Sequence, residues 1–99
     1  MITEVSEKSS WIVVYDENGK EKSRMATNNK EICAFTGTFF VINDGAWIVL
    51  YNEMCKEIGR MAMNNKVVRS ATGSSFLVED GAWIVTYDIK CKETNRRAA

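Results

Sequence analysis

The sequence contains no histidine and no proline, only three cysteines, and no surplus of either charge. Without imidazole there is no His-based catalytic triad, no general base titrating near neutrality and no His metal ligand. Without proline nothing interrupts the pairing of backbone N–H groups along a sheet. Cys33, Cys55 and Cys91 form an odd set with no CxxC, which points to free, small, hydrophobic thiols in a reducing compartment rather than to a disulfide framework or a metal site. Thirteen Lys plus Arg balance thirteen Asp plus Glu, interspersed as in Lys20-Glu21-Lys22. The basic face that a phosphate backbone requires is therefore missing, and no nucleic-acid partner is expected. No apolar run approaches the ~20 residues of a spanning helix, and the first ten residues, MITEVSEKSS, lack the apolar centre of a secretory signal. Neither a GxGxxG, a Walker loop nor an HExxH is present. The expectation is a cytoplasmic protein that is not an enzyme, carries no cofactor and has no membrane partner.

What the sequence does contain is a repeat. Trp47–Ala82 reads WIVLYNEMCKEIGRMAMNNKVVRSATGSSFLVEDGA, and Trp11–Ala46 matches it without a gap at about half its positions. Trp83–Ala98 repeats its first part, so tryptophans stand at 11, 47 and 83, a period of 36 (47 − 11 and 83 − 47). Fixed periods of this size mark repeat architectures. Residues 1–10 fall opposite 37–46 and 73–82, which offers Ile2-Thr3-Glu4-Val5 as the counterpart of Thr38–Val41 and Ser74–Leu77. The units are read as 11–46, 47–82, and 83–99 plus 1–10, in a single domain spanning 1–99.

Within a unit the apolar pattern has strand period. Trp47–Tyr51 is β-branched and aromatic, apolar on both faces, and reads as a central strand. The Asp-Gly pairs at 44–45 and 80–81 and the Asn18-Gly19 pair mark hairpin turns, the last suiting a type I′ turn. Glu21–Ala26 and Glu57–Ala62 are more polar, as an edge strand is, with Met25 and Met61 as inward anchors. Asn28-Asn29 and Asn64-Asn65 mark loops, because Asn tolerates the left-handed region. Glu31–Phe35, Val67–Ala71, Thr38–Ile42 and Ser74–Val78 complete four strands per unit, twelve in all.

Twelve short strands in one flat sheet leave long edges, and one closed meander is too wide for its side chains to fill. Three four-stranded units around a pseudo-threefold axis avoid both problems. The expected architecture is therefore an all-β, β-prism-like repeat with its third unit completed by the amino- and carboxyl-terminal strands and the tryptophans in the core; a β-trefoil is the alternative.

Gly45–Tyr51 and Gly81–Tyr87 resemble the strand that carries the sugar site in the monocot mannose-binding lectins, β-prisms of similar size with three repeats. The signature of that family sets Gln, Asp and Asn at alternate positions ahead of its valine and tyrosine. Here those positions hold Asn43 or Glu79, Gly45 or Gly81, and Trp47 or Trp83, so Val49/Tyr51 and Val85/Tyr87 alone match. The resemblance implies architecture, and no sugar-contacting residue is carried over.

The repeated polar set is Tyr15, Asp16 and Arg24; Tyr51, Asn52 and Arg60; and Tyr87, Asp88 and Arg96, accompanied by Lys20, Lys56 and Lys92. It places a phenol, an Asx side chain and cations on each hairpin, able to hydrogen-bond a polar ligand three times over; turn formation accounts for the Asx and Lys residues equally well. Glu21, Glu57 and Glu93 read as solvated charge. The sequence points to a non-catalytic β-rich interaction or assembly module, with a protein partner or self-association, including a homodimer by strand exchange. A lectin-like multivalent carbohydrate binder is the alternative.

Overall fold

The computed structural model describes residues 1–98, which form eleven antiparallel strands and no helix. They are β1 Glu4–Lys8, β2 Trp11–Tyr15, β3 Glu21–Ala26, β4 Glu31–Phe35, β5 Phe39–Asn43, β6 Trp47–Asn52, β7 Glu57–Ala62, β8 Val67–Thr72, β9 Ser75–Asp80, β10 Trp83–Asp88 and β11 Glu93–Ala98. Three separate meanders result. Sheet 1 has the order β1-β2-β3, sheet 2 β4-β5-β6-β7 and sheet 3 β8-β9-β10-β11.

The sheets stack in chain order. One core cluster lies between sheets 1 and 2, where Ile2, Val5, Ile12 and Val14 meet Phe40, Ile42, Val49 and Tyr51. A second lies between sheets 2 and 3, where Phe39, Val41, Ile48 and Leu50 meet Phe76, Val78, Val85 and Tyr87. The double-sided burial expected of Trp47–Tyr51 follows, since β6 packs both faces; side chains alternate across a strand, so Ile48 and Leu50 serve one core while Val49 and Tyr51 serve the other. The polar strands β3, β7 and β11 are edges, and Met25 and Met61 pack inward as their sequence positions foretell.

The two chain ends do not complete a unit together. β1 pairs with β2, whereas β11 pairs with β10 two sheets away, so the expected prism closure and the trefoil alternative both give way to an elongated stack of 40 × 25 × 19 Å. Residue 99 of the expected last unit lies outside the described residues. The sheets are also out of phase with units begun at tryptophan. The Asn-Asn turns connect one sheet to the next, with Asn28 and Asn29 at φ 41° and 63° and Lys30 N–H donating to the Thr27 carbonyl at 2.7 Å. Asp44-Gly45 joins two strands of the same sheet. Apolar area buried between sheets, rather than hydrogen bonding across a shared barrel, therefore holds the array together.

The hairpin at 16–20 is not the expected type I′ turn. That turn needs φ > 0 at two adjacent central residues, and here only Gly19 (73°) has it. Asp16 N–H donates to the Lys20 carbonyl and Gly19 N–H to the Asp16 carbonyl, at 2.9 and 3.0 Å, and the register shifts between Val14 and Tyr15. Cys55 and Cys91 hold the same left-handed position at φ 60° and 62°. A side chain is useful there because another sheet lies opposite: Cys55 packs into the first core and Cys91 into the second. At Gly19 an added Cβ would meet nothing within 4 Å.

Candidate functional site

Trp11, Trp47 and Trp83 open the central strands β2, β6 and β10, and the sequence-based expectation that they form the core is corrected here: they are 41, 40 and 44% exposed. Alternation sets each on the same sheet face as a buried valine and a tyrosine, but at the strand's first residue, where the ring projects at the margin of the stack. Over each ring lies a guanidinium: Arg24 over Trp11 at 5.3 Å, Arg60 over Trp47 at 5.3 Å and Arg96 over Trp83 at 5.4 Å. This is the range in which a cation is attracted by the π-face.

Each guanidinium is gripped in turn by a glutamate. Arg24 donates from Nε and Nη2 to Glu21 at 2.7 and 2.6 Å, Arg60 to Glu57 at 2.8 and 2.6 Å, and Arg96 to Glu93 at 2.8 and 2.7 Å. Residues three apart in a regular strand point to opposite faces. The bulge that follows the hairpin removes one residue from the alternation, leaving Glu21 opposite Tyr15 and Arg24 opposite Val13, both on the tryptophan face. The same shift recurs between Leu50 and Tyr51 and between Thr86 and Tyr87. These hydrogen bonds hold the Glu21, Glu57 and Glu93 carboxyls below their ordinary range and push the arginines up. The three glutamates are therefore half of a fixed fork rather than loose surface charge, a role the sequence reading missed; the signal was the 36-residue recurrence of Glu and Arg at constant spacing.

The other sequence-selected residues separate by role. Asp16, Asn52 and Asp88 each accept, through Oδ1, the N–H groups two and four residues on, at 2.9 to 3.1 Å. They are turn acceptors, and those N–H groups hold the Asp16 and Asp88 carboxyls below the usual value. Tyr51 and Tyr87 are buried and stack on Phe40 and Phe76 at 5.5 Å between ring centres, and burial pushes their phenols up. Tyr15 lacks such a partner, since Glu4 stands where Phe40 and Phe76 do; Lys8 lies 5.0 Å from its ring instead. Of the nine residues, the structure places Arg24, Arg60 and Arg96 at the exposed margin beside the tryptophans.

The cysteines are free, and burial raises all three thiols, Cys91 to about 11. At neutral pH they are thus protonated and weakly nucleophilic. Among the described residues no group of three His, Cys, Asp or Glu could hold a metal ion, and no helix is long and apolar enough to cross a membrane. An open pocket of about 430 Å³ lies between Met1, Gly37, Thr38, Asn52, Glu53 and Met54. Its one carboxylate, Glu53, sits 3.2 Å from the Met1 ammonium, and the Asn52 side-chain oxygen is occupied by its turn.

No protein-family model and no curated protein matches the sequence. Among solved structures the chain is similar to the crystal structure of BamB from Moraxella catarrhalis, with a TM-score of 0.56 at 9% identity, over 97% of this chain and 34% of that one. The chain thus spans about a third of the length of that β-propeller-like structure. A likeness at this identity concerns the fold alone: stacked antiparallel sheets, all β.

Proposed function

We propose that the chain is a non-catalytic interaction module whose partner-facing surface is the row of tryptophan–arginine–glutamate clusters, and that its partner is a protein. The observation that carries this reading is the recurrence, at one register in three stacked sheets, of an indole exposed by two-fifths beneath a guanidinium already fixed by a carboxylate. Tryptophan and arginine are the side chains most enriched where binding energy concentrates in protein interfaces. A pre-ordered guanidinium also loses little freedom when a partner docks. The cytoplasmic location belongs to this proposal, supported by three unpaired thiols in one small domain.

A multivalent carbohydrate binder is the second reading, favoured by the threefold recurrence of an aromatic ring beside hydrogen-bonding groups. Against it, each guanidinium fork is spent on its glutamate and covers one face of its indole. Selection of displayed peptides on the purified chain, beside a glycan array, separates the two. The protein reading expects selected peptides whose binding is lost in Trp47→Ala and Arg60→Ala variants that melt as folded proteins. Glycan binding lost in the same variants supports the second reading, and ligands indifferent to both substitutions refute both.

A further inference from the structure

Among the described residues six strands have a free edge: β1, β3, β4, β7, β8 and β11. Five of them pair with their neighbour across a register shift, at Val14/Tyr15, Ile32/Ala34, Leu50/Tyr51, Val68/Ser70 and Thr86/Tyr87. Such bulges twist an edge and discourage further pairing. β1 differs: it pairs with β2 in unbroken register from Glu4↔Tyr15 to Lys8↔Trp11, as the interior pairs β5–β6 and β9–β10 do. By the 36-residue period β1 is the counterpart of β5 and β9, each flanked on both sides. Among the described residues it therefore has the ladder of an interior strand with one side unpaired.

Sheet 3 shows what the open side of such a strand takes. There β8 runs antiparallel to β9, setting Val67 opposite Glu79, Val68 opposite Val78 and Ser70 opposite Leu77, with Arg69 at the bulge. The Arg69 guanidinium reaches Glu79 at 2.9 Å. The repeat carries Glu79 onto Glu7, Val78 onto Ser6 and Leu77 onto Val5. Glu7 is exposed and has no ion pair among the described residues. In the neighbouring sheet, β4 lies close to both β8 and β1.

We propose that the free edge of β1 takes up an extended segment of another chain, antiparallel to itself, as the fourth strand of sheet 1. The segment it selects is basic and of the β8 type: a β-branched residue opposite Ser6, a small residue opposite Val5 and an arginine that closes on Glu7. Main-chain hydrogen bonds supply affinity, as in strand addition generally, and the Glu7 carboxylate supplies register and charge preference. The tryptophan row lies at the β2 and β3 side of the sheet, so this site stands or falls independently of the proposed partner surface.

The probe is an end-blocked peptide copying Asn65–Thr72, titrated into the full chain by calorimetry. Saturable one-to-one binding is expected. Glu7→Arg, at an exposed position, weakens it at least tenfold, and a peptide with glutamate in the Arg69 place regains affinity for that variant. N-methylating alternate peptide residues abolishes binding in one phase and spares it in the other, because only one set of N–H groups faces β1. No saturable binding overturns the proposal. So does saturable binding that ignores the charge exchange at residue 7, whatever its methylation phase, because displacement of β8 from sheet 3 would also use one set of N–H groups but would not depend on Glu7.

Discussion

The carbonyl oxygen of Ile89 occupies the space in which a side chain at residue 59 would begin: a Cβ added to Gly59 would fall 2.8 Å from it. This is how the β10–β11 hairpin of sheet 3 settles on β7 of sheet 2. One interface earlier the equivalent residue is Ser23, and its hydroxyl donates to the Glu53 carbonyl at 2.6 Å. Hairpin on edge strand is thus the recurring contact between sheets, made once by close approach and once by a hydrogen bond.

Gly59→Ala is accordingly expected to destabilise the fold by about 1–3 kcal/mol, the usual cost of overpacking, because the atom it meets is backbone and cannot rotate away. Denaturant melts measure this. Wild-type stability in the variant would mean that sheets 2 and 3 do not approach as closely as described.

Trp47→Ala is expected to cost less than half of what Phe40→Ala costs. Phe40 is fully buried between sheets 1 and 2, where such a truncation costs about 3–5 kcal/mol. Trp47 loses mainly its contact with Arg60 and the cover it gives the strand end. Paired denaturant titrations decide the point, and equal losses would return the tryptophans to the core.

The rim was half legible in the sequence. The 36-residue recurrence of Trp, Glu and Arg is plain, and so is the strand character of Trp47–Tyr51. Exposure of Trp47 was not legible, because Val49 and Tyr51 on the same face are buried and only the reach of the neighbouring sheet distinguishes them. Sheet phase was hidden for a related reason. A period of 36 looks the same wherever the unit is begun, and Asn-Asn and Asp-Gly are both turn signals. Whether the strands flanking a turn then pair or part is decided by contacts distant in sequence, such as Ile2 and Val5 with Phe40 and Ile42.

Stability is expected to be flat from about pH 5 to 8 and to fall on both sides. There is no histidine to titrate in between. Glu21, Glu57, Glu93, Asp16 and Asp88 have folded values below their ordinary 4.5 and 3.8. Their contribution is present above those ordinary values and is lost as pH falls through the depressed ones. The thiols act in the opposite sense. Cys91 is held at about 11 against an ordinary 9.0, so the unfolded chain releases its proton first and stability declines as pH rises from 9 toward 11. Melting temperatures across pH 2–11 test both limbs, and Cys91→Ala should make the alkaline one shallower, with the share of Cys33, Cys55, Tyr51 and Tyr87, which burial also raises, remaining.

Ser6→Val is expected to stabilise the chain by about 1 kcal/mol. The Ser6 hydroxyl is shielded from solvent without a hydrogen-bond partner, and the counterparts Ile42 and Val78 are fully buried. Thermal melts should show the rise. A fall would place a polar partner near Ser6.

The two outer faces of the stack explain why Ser6 is polar at all. On the outer face of sheet 1, Glu4 and Ser6 replace Phe40 and Ile42. On the outer face of sheet 3, Ser75 and Thr86 replace Phe39 and Leu50. The replaced residues are essentially fully buried inside the stack, whereas Glu4 is exposed and Ser6, Ser75 and Thr86 are only half-buried, on faces that no other sheet of the described residues covers, a pattern like the polar outer faces of terminal repeats. Restoring apolar residues at both ends, with Glu4→Phe, Ser6→Ile, Ser75→Phe and Thr86→Leu together, therefore creates two mutually complementary sheet faces. A head-to-tail contact of this kind joins copies without end unless it closes into a ring. Light scattering should show mass rising with concentration for the fourfold variant, while each pair alone, which offers only one apolar face, associates less. A fourfold variant that scatters like the wild-type chain would mean that the end faces are closed off by something other than these four polar side chains.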